Sequence, residues 1–103
     1  MLKHLLRNNP PFSDSLGEQV LREYMRIHRG AVDALCQMGC DREDVEQDLR
    51  IHLWRQWERY ESGSISLQQW LSWRMRHKIR SMLRNEQKRS RIRTCPLDIE
   101  DSQ

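Results

Sequence analysis

Two tryptophans three residues apart, Trp70 and Trp73, lead at helical spacing into Arg76, His77, Arg80 and Arg84. An indole offers a flat π-face on which an unstacked base can rest, a contact worth about 1–3 kcal/mol per base. Arginine neutralises phosphate, and the counterions released by that pairing drive association. On a helical wheel turning about 100° per residue, these six residues gather away from the apolar stripe Leu67, Leu71, Met75, Ile79 and Met82. A basic face alone is usually a solvated face. Basic residues interleaved with tryptophans predict contact with nucleic acid. One of the two indoles can equally belong to the core.

A second constellation lies upstream, in DREDVEQDLRIHLWRQWERY at residues 41–60. The wheel sets Asp44, Gln47, Asp48, Ile51, Trp54 and Arg55 opposite a core stripe of Val45, Leu49, Leu53, Trp57 and Tyr60. Leaving a large apolar side chain in water forgoes roughly 1.5–3 kcal/mol. An aromatic anchor ringed by carboxylates and an amide has the anatomy of a protein–protein hot spot. In the competing reading Trp54 folds beneath the preceding helix and the acids only start a capped helix.

Charge separates these segments. Residues 41–60 carry six acids against four arginines, a balance of −2, whereas residues 61–97 carry nine bases against two acids, a balance of +7. Solubility alone does not require such segregation; a polyanion partner for the basic segment does. Other chemistries find little support. The four scattered glycines make no phosphate-cradling loop, and no carboxylate pairs with a His or nucleophile in a catalytic pattern. The expectation is therefore no enzyme and no cofactor. Cys36 and Cys40 supply half a zinc site at best, so no metal is expected. Three unpaired-looking cysteines favour a reducing, cytoplasmic setting, and no apolar run reaches the length of a membrane span.

The elements that must hold these faces follow from periodicity. A flexible arm is expected over residues 1–14, ended by Asn8-Asn9-Pro10-Pro11, then a helical domain over 15–93 and an acidic tail or linker start over 94–103. Ser15 with Glu18 suggests a capping box for a first helix to about Met38, with the stripe Val20, Tyr24, Ile27, Ala31, Leu35 and Met38. Asp41 is the expected N-cap of a second helix to about Tyr60. Ser64 or Ser66 caps a third, expected to fray after Leu83 where the apolar period fades. The fold class is all-α, a compact bundle of three to four helices. One domain is all that 103 residues can carry.

In this order the parts resemble region 2 of the sigma-70 family of bacterial transcription initiation factors, particularly the extracytoplasmic-function group. The acidic start Glu43-Asp44-Val45-Glu46-Gln47-Asp48, the step Leu53-Trp54, the end Trp57-Glu58-Arg59-Tyr60, then Leu67-Gln68-Gln69-Trp70-Leu71 and the basic run from Arg74 to Arg93 carry the likeness, over roughly residues 18–93. The resemblance implies that Asp44, Gln47, Asp48, Ile51 and Trp54 bind core RNA polymerase, at the clamp coiled coil of its largest subunit. It implies that Trp70, Trp73, Arg76, His77, Arg80 and Arg84 engage and melt the promoter −10 element, in a cytoplasmic, nucleoid-associated setting.

The sequence departs from the pattern at Leu67, where an aromatic is common, and at Arg50, where an apolar residue is frequent. It also has no counterpart of the helix-turn-helix region that reads the −35 element. Either this is an excised domain, or it is a stand-alone region 2 that borrows −35 recognition from a separate chain. An anti-sigma factor is a further expected type of partner. Two other readings remain at this stage: a polymerase-binding regulator that reads no promoter, and a generic helical nucleic-acid-binding regulator.

Overall fold

The structure, a computed structural model, describes the backbone of residues 2–94 and the side chains of residues 2–89. It is built from α1 (Leu2–Leu5), α2 (Asp14–Ile27), α3 (Arg29–Gln37), α4 (Arg42–Arg59) and α5 (Leu67–Thr94), with no strand among the described residues. The all-α expectation holds. Helix α5 packs against α3 and α4, and α2 packs against α4 and α1.

The helix starts show how local chemistry sets the frame. Asp41 accepts a bond from the Glu43 N–H at 3.0 Å and caps α4. Ser66 Oγ accepts from the Gln69 N–H at 3.2 Å, while Gln69 Oε1 accepts from the Ser66 N–H at 3.3 Å. That reciprocal pair is a capping box and fixes the start of α5. Buried Val45, Leu49, Leu53 and Trp57 of α4 meet Leu67, Leu71, Met75 and Ile79 of α5 in one core. Val20, Leu21, Tyr24, Val32 and Leu35 close it from α2 and α3.

Five local expectations give way to packing. The single first helix is two helices meeting at His28, whose φ of −101° and ψ of 28° leave the helical region. Its stripe is corrected too: Ile27 is 53% exposed, and Leu21 and Val32 take inward positions. The cap is Ser13 rather than Ser15, with Ser13 Oγ accepting from the Leu16 N–H at 3.2 Å. Glu18, free of the capping box, pairs instead with Arg50 through bonds of 2.7 and 2.9 Å.

The opening segment, expected as an arm, is folded back. Leu2 and Leu6 are buried in the core, because α1 presents its leucines to α2. Asn8 and Asn9 adopt left-handed φ values of 61° and 50°, which asparagine tolerates well. The turn carries Asn9 Oδ1 to the Leu67 N–H at 3.0 Å and the Pro10 carbonyl to the Trp57 indole N–H at 3.1 Å. Finally, α5 runs on to Thr94 instead of fraying after Leu83. Its charged residues are good helix formers, and Glu86, buried, accepts from Arg89 at 3.2 Å one turn later. The tail from residue 95 onward, with Cys95 and Pro96, lies outside the described residues.

Candidate nucleic-acid and protein interfaces

Helix α5 is long enough to turn one side to the core and keep another in solvent. Trp73 stands on the solvent side, 46% exposed, with Arg76, His77, Arg80 and Arg84 all exposed beside it. Arg76, Arg80 and Arg84 have no carboxylate partner among the described residues. Their charge is therefore uncompensated at short range. Trp73 is braced: His77 meets its ring edge-on at 4.8 Å, and the Arg74 guanidinium lies over it at 4.9 Å.

Trp70 behaves differently, so the two indoles separate. It is half-buried, and its Nε1–H donates to the Gln56 carbonyl at 2.9 Å. Gln56 O belongs to the last turn of α4, where carbonyls lack helical partners. The Tyr60 ring lies 6.4 Å from the Trp70 ring, and Arg74 covers Trp70 at 4.2 Å. Trp70 thus joins two helices and takes the core role that the sequence left open for one of the two indoles. Next to it, residues 59–65 and Trp70 surround an open hollow of about 310 Å³. There Tyr60 Oη donates to the Ile65 carbonyl at 2.7 Å, holding the loop in shape, with the Ile65 side chain 43% exposed.

On α4, Asp44, Gln47 and Asp48 are exposed, and Ile51 is 37% exposed. Gln47 Oε1 accepts from Arg50 Nη1 at 2.6 Å. Arg50 in turn reaches Glu46 at 3.2 Å and the Glu18 carboxylate of α2. The unusual Arg50 is therefore a bridge between helices. Trp54 leaves this face: half-buried, it packs edge-on against Phe12 at 5.5 Å. Gly17 makes that possible, since a Cβ there would stand 2.6 Å from Phe12 Cε1 and 3.2 Å from Trp54 Nε1. The wheel grouped Trp54 with Ile51 by direction, and the chain from residue 10 to 17 covers it.

Between α4 and α5 runs a seam. At one end Asp41, Asp44 and Asp48 border a cleft of about 480 Å³ with Lys78, Asn85, Glu86 and Arg89. Further along, burial holds His52 below the ordinary imidazole range; the Lys78 ammonium and the Arg74 and Arg55 charges push the same way, against a hydrogen bond to the Arg74 backbone. Sequence reasoning passed over Arg74; its signal was an arginine placed four residues after Trp70 and next to Trp73. Cys36 and Cys40 are free thiols, and no described group of three His, Cys, Asp or Glu could hold a metal. Among the described residues, no helix is long and apolar enough to cross a membrane.

Compared with known families, residues 18–89 match Sigma-70 region 2. No curated protein and no solved structure matched the chain. The family match takes in α4, the loop and the described side chains of α5, the elements that carry both faces. The chain belongs to the Sigma-70 region 2 family, a non-enzymatic domain of bacterial transcription initiation factors.

Proposed function

We propose that this protein acts in transcription initiation by holding core RNA polymerase with α4 and promoter −10 DNA with α5 and the loop before it. The polymerase side comprises Asp44, Gln47, Asp48 and Ile51, facing the clamp coiled coil of the largest subunit, with Trp54 supporting that face from beneath. The DNA side comprises Trp73, Arg76, His77, Arg80 and Arg84, with Trp70 setting the angle of the platform. In the cytoplasmic transcription machinery, an anti-sigma factor is a natural antagonist.

One observation carries the DNA half: an indole 46% exposed on a helix face whose arginines have no carboxylate partner among the described residues. Replacing lost base stacking needs such a π-surface, and phosphates need uncompensated cations. The test is reconstitution with core polymerase on a promoter with a pre-melted −10 region. Co-elution with polymerase and promoter-dependent transcripts are expected. Co-elution without transcripts would leave a polymerase-binding regulator, and neither would end both halves.

A further inference from the structure

Arg50 stands where an apolar residue is frequent in the family pattern, and its guanidinium is almost fully engaged. Its Nε and Nη2 donate to the two oxygens of the Glu18 carboxylate on α2, at 2.7 and 2.9 Å, and Nη2 also reaches Glu46 at 3.2 Å. Its Nη1 donates to Gln47 Oε1 at 2.6 Å. The two carboxylates absorb the positive charge within this cluster, and the two-pronged grip of Glu18 holds the guanidinium plane in one orientation. With its side chain 22% exposed, Arg50 is anchored beside the α4 face and does not stand out from it.

Gln47 is exposed on that face beside Asp44 and Asp48. An arginine carries donors and no acceptor, so the Gln47 amide must turn its oxygen toward Arg50. Its NH2 is then directed away from Arg50, and no described residue accepts from it. A glutamine left free on a helix can offer a partner either its oxygen or its nitrogen. This one is restricted to donating. Asp44 and Asp48, when ionised, can only accept, and their charges repel a partner carboxylate. The oxygen that suits Gln47 is therefore an uncharged carbonyl.

We infer that Arg50 is a positioning residue for the α4 interface: it locks the Gln47 amide as a donor, and the face fits a partner that presents a carbonyl oxygen to Gln47 among cations facing Asp44 and Asp48. The inference rests on the polymerase reading above and deepens it. Glu18 takes part through Arg50, so a residue of α2 helps fix what α4 can recognise.

The test is anisotropy of the labelled full chain titrated with core RNA polymerase, using variants that thermal melts show to be folded. Gln47→Ala should weaken binding about fivefold, the size of one net hydrogen bond. Gln47→Glu keeps an oxygen for Arg50 but sets a second where the donor stood, and should weaken binding more than Gln47→Ala. Arg50→Leu should weaken binding about threefold in the parent and no further in Gln47→Ala, because it acts through that amide. Arg50→Lys keeps the charge without the fork and should recover part of the loss. Arg26→Leu, which removes the same charge from a surface pair on α2, should change little.

Equal losses for Arg50→Leu in the parent and in Gln47→Ala would make Arg50 a structural bridge only and overturn the inference. So would Gln47→Glu binding as tightly as the parent, since the partner would then be donating at this point. Tighter binding by Gln47→Lys would place a carboxylate on the partner and overturn the carbonyl assignment. If Asp44→Lys with Asp48→Lys weakens binding while the Gln47 and Arg50 variants do not, the inference fails and the polymerase reading stands. If none of them weakens it, the polymerase reading itself fails. Should Arg50→Leu not fold, Gln47→Glu and Arg50→Lys still decide the matter.

Discussion

Trp70 donates its indole N–H to the main-chain carbonyl of Gln56 at 2.9 Å, fastening the last turn of α4 to the first turns of α5. Trp73, three residues on, makes no such bond and stays 46% exposed. Two tryptophans of the same short motif therefore do different work. Trp70→Phe should cost about 1 kcal/mol of stability through the lost hydrogen bond. Trp73→Ala should stay within about 0.5 kcal/mol of the parent, as surface substitutions do. Urea denaturation of the two variants measures the difference, and equal losses would contradict the assignment.

That division sharpens the expected effect on DNA. Trp73→Ala should weaken binding to unpaired −10-like DNA more than to duplex. A lost stacking contact accounts for about 1–3 kcal/mol on the unpaired strand. Arg80→Ala should weaken both and flatten the salt dependence. Fluorescence titration with matched single-strand and duplex oligonucleotides separates these outcomes. Equal losses on both substrates for folded Trp73→Ala would remove the base-platform role.

On α4 the exposed acids and the covered indole should respond oppositely. Asp44→Lys with Asp48→Lys should abolish most binding to core polymerase and leave the fold intact, because isolated surface charges contribute roughly 0–1 kcal/mol. Trp54→Ala should instead destabilise the protein by roughly 3 kcal/mol, since it empties the space beneath Phe12. Thermal melts paired with a polymerase pull-down decide between them. A folded double-lysine variant that binds polymerase normally would overturn the α4 assignment.

Acid should loosen the fold. Burial depresses His28 and His52, helped by Arg76 at the first and chiefly by Lys78 at the second. Unfolded, each imidazole takes a proton near pH 6.5; folded, it resists until lower pH. The stabilisation is complete above the unfolded value and is lost as pH falls through the folded one. Glu18, held below its usual range first by hydrogen bonds from Arg50, adds the same trend at lower pH. The melting temperature should therefore drop between about pH 7.5 and about pH 5.5. His52→Gln should flatten that drop; an unchanged slope would mean His52 is not held neutral.

What the sequence disclosed was local. Asp41 and Ser66 announce their helices because a cap acts within three residues, and the α4 and α5 stripes follow from period alone. Trp54 was ambiguous because its cover, Phe12, arrives from far along the chain. The break falls at His28, two residues before Gly30, and a lone glycine in a continuous apolar stripe does not mark the end of a helix by itself. The length of α5 was misread because a charge run looks like a fraying end until Glu86 is seen turned inward. The DNA-like face was visible as composition. Its division between Trp70 and Trp73 depends on the Gln56 carbonyl, which no side-chain pattern reveals.

The bonds from Leu67 to Asn9 and from Trp57 to Pro10 give the first dozen residues an unexpected office. One asparagine and one proline stitch the start of α5 and the end of α4 to the same short strap. The angle between the acidic and the basic helix is thus set partly from outside both of them. A protease cut behind Phe12 would leave every acid, arginine and exposed indole of the two faces in the chain, yet it would release the splint. Both faces would then lose their common alignment together, and a bulky tag pressed against Leu2 would act on the same hinge.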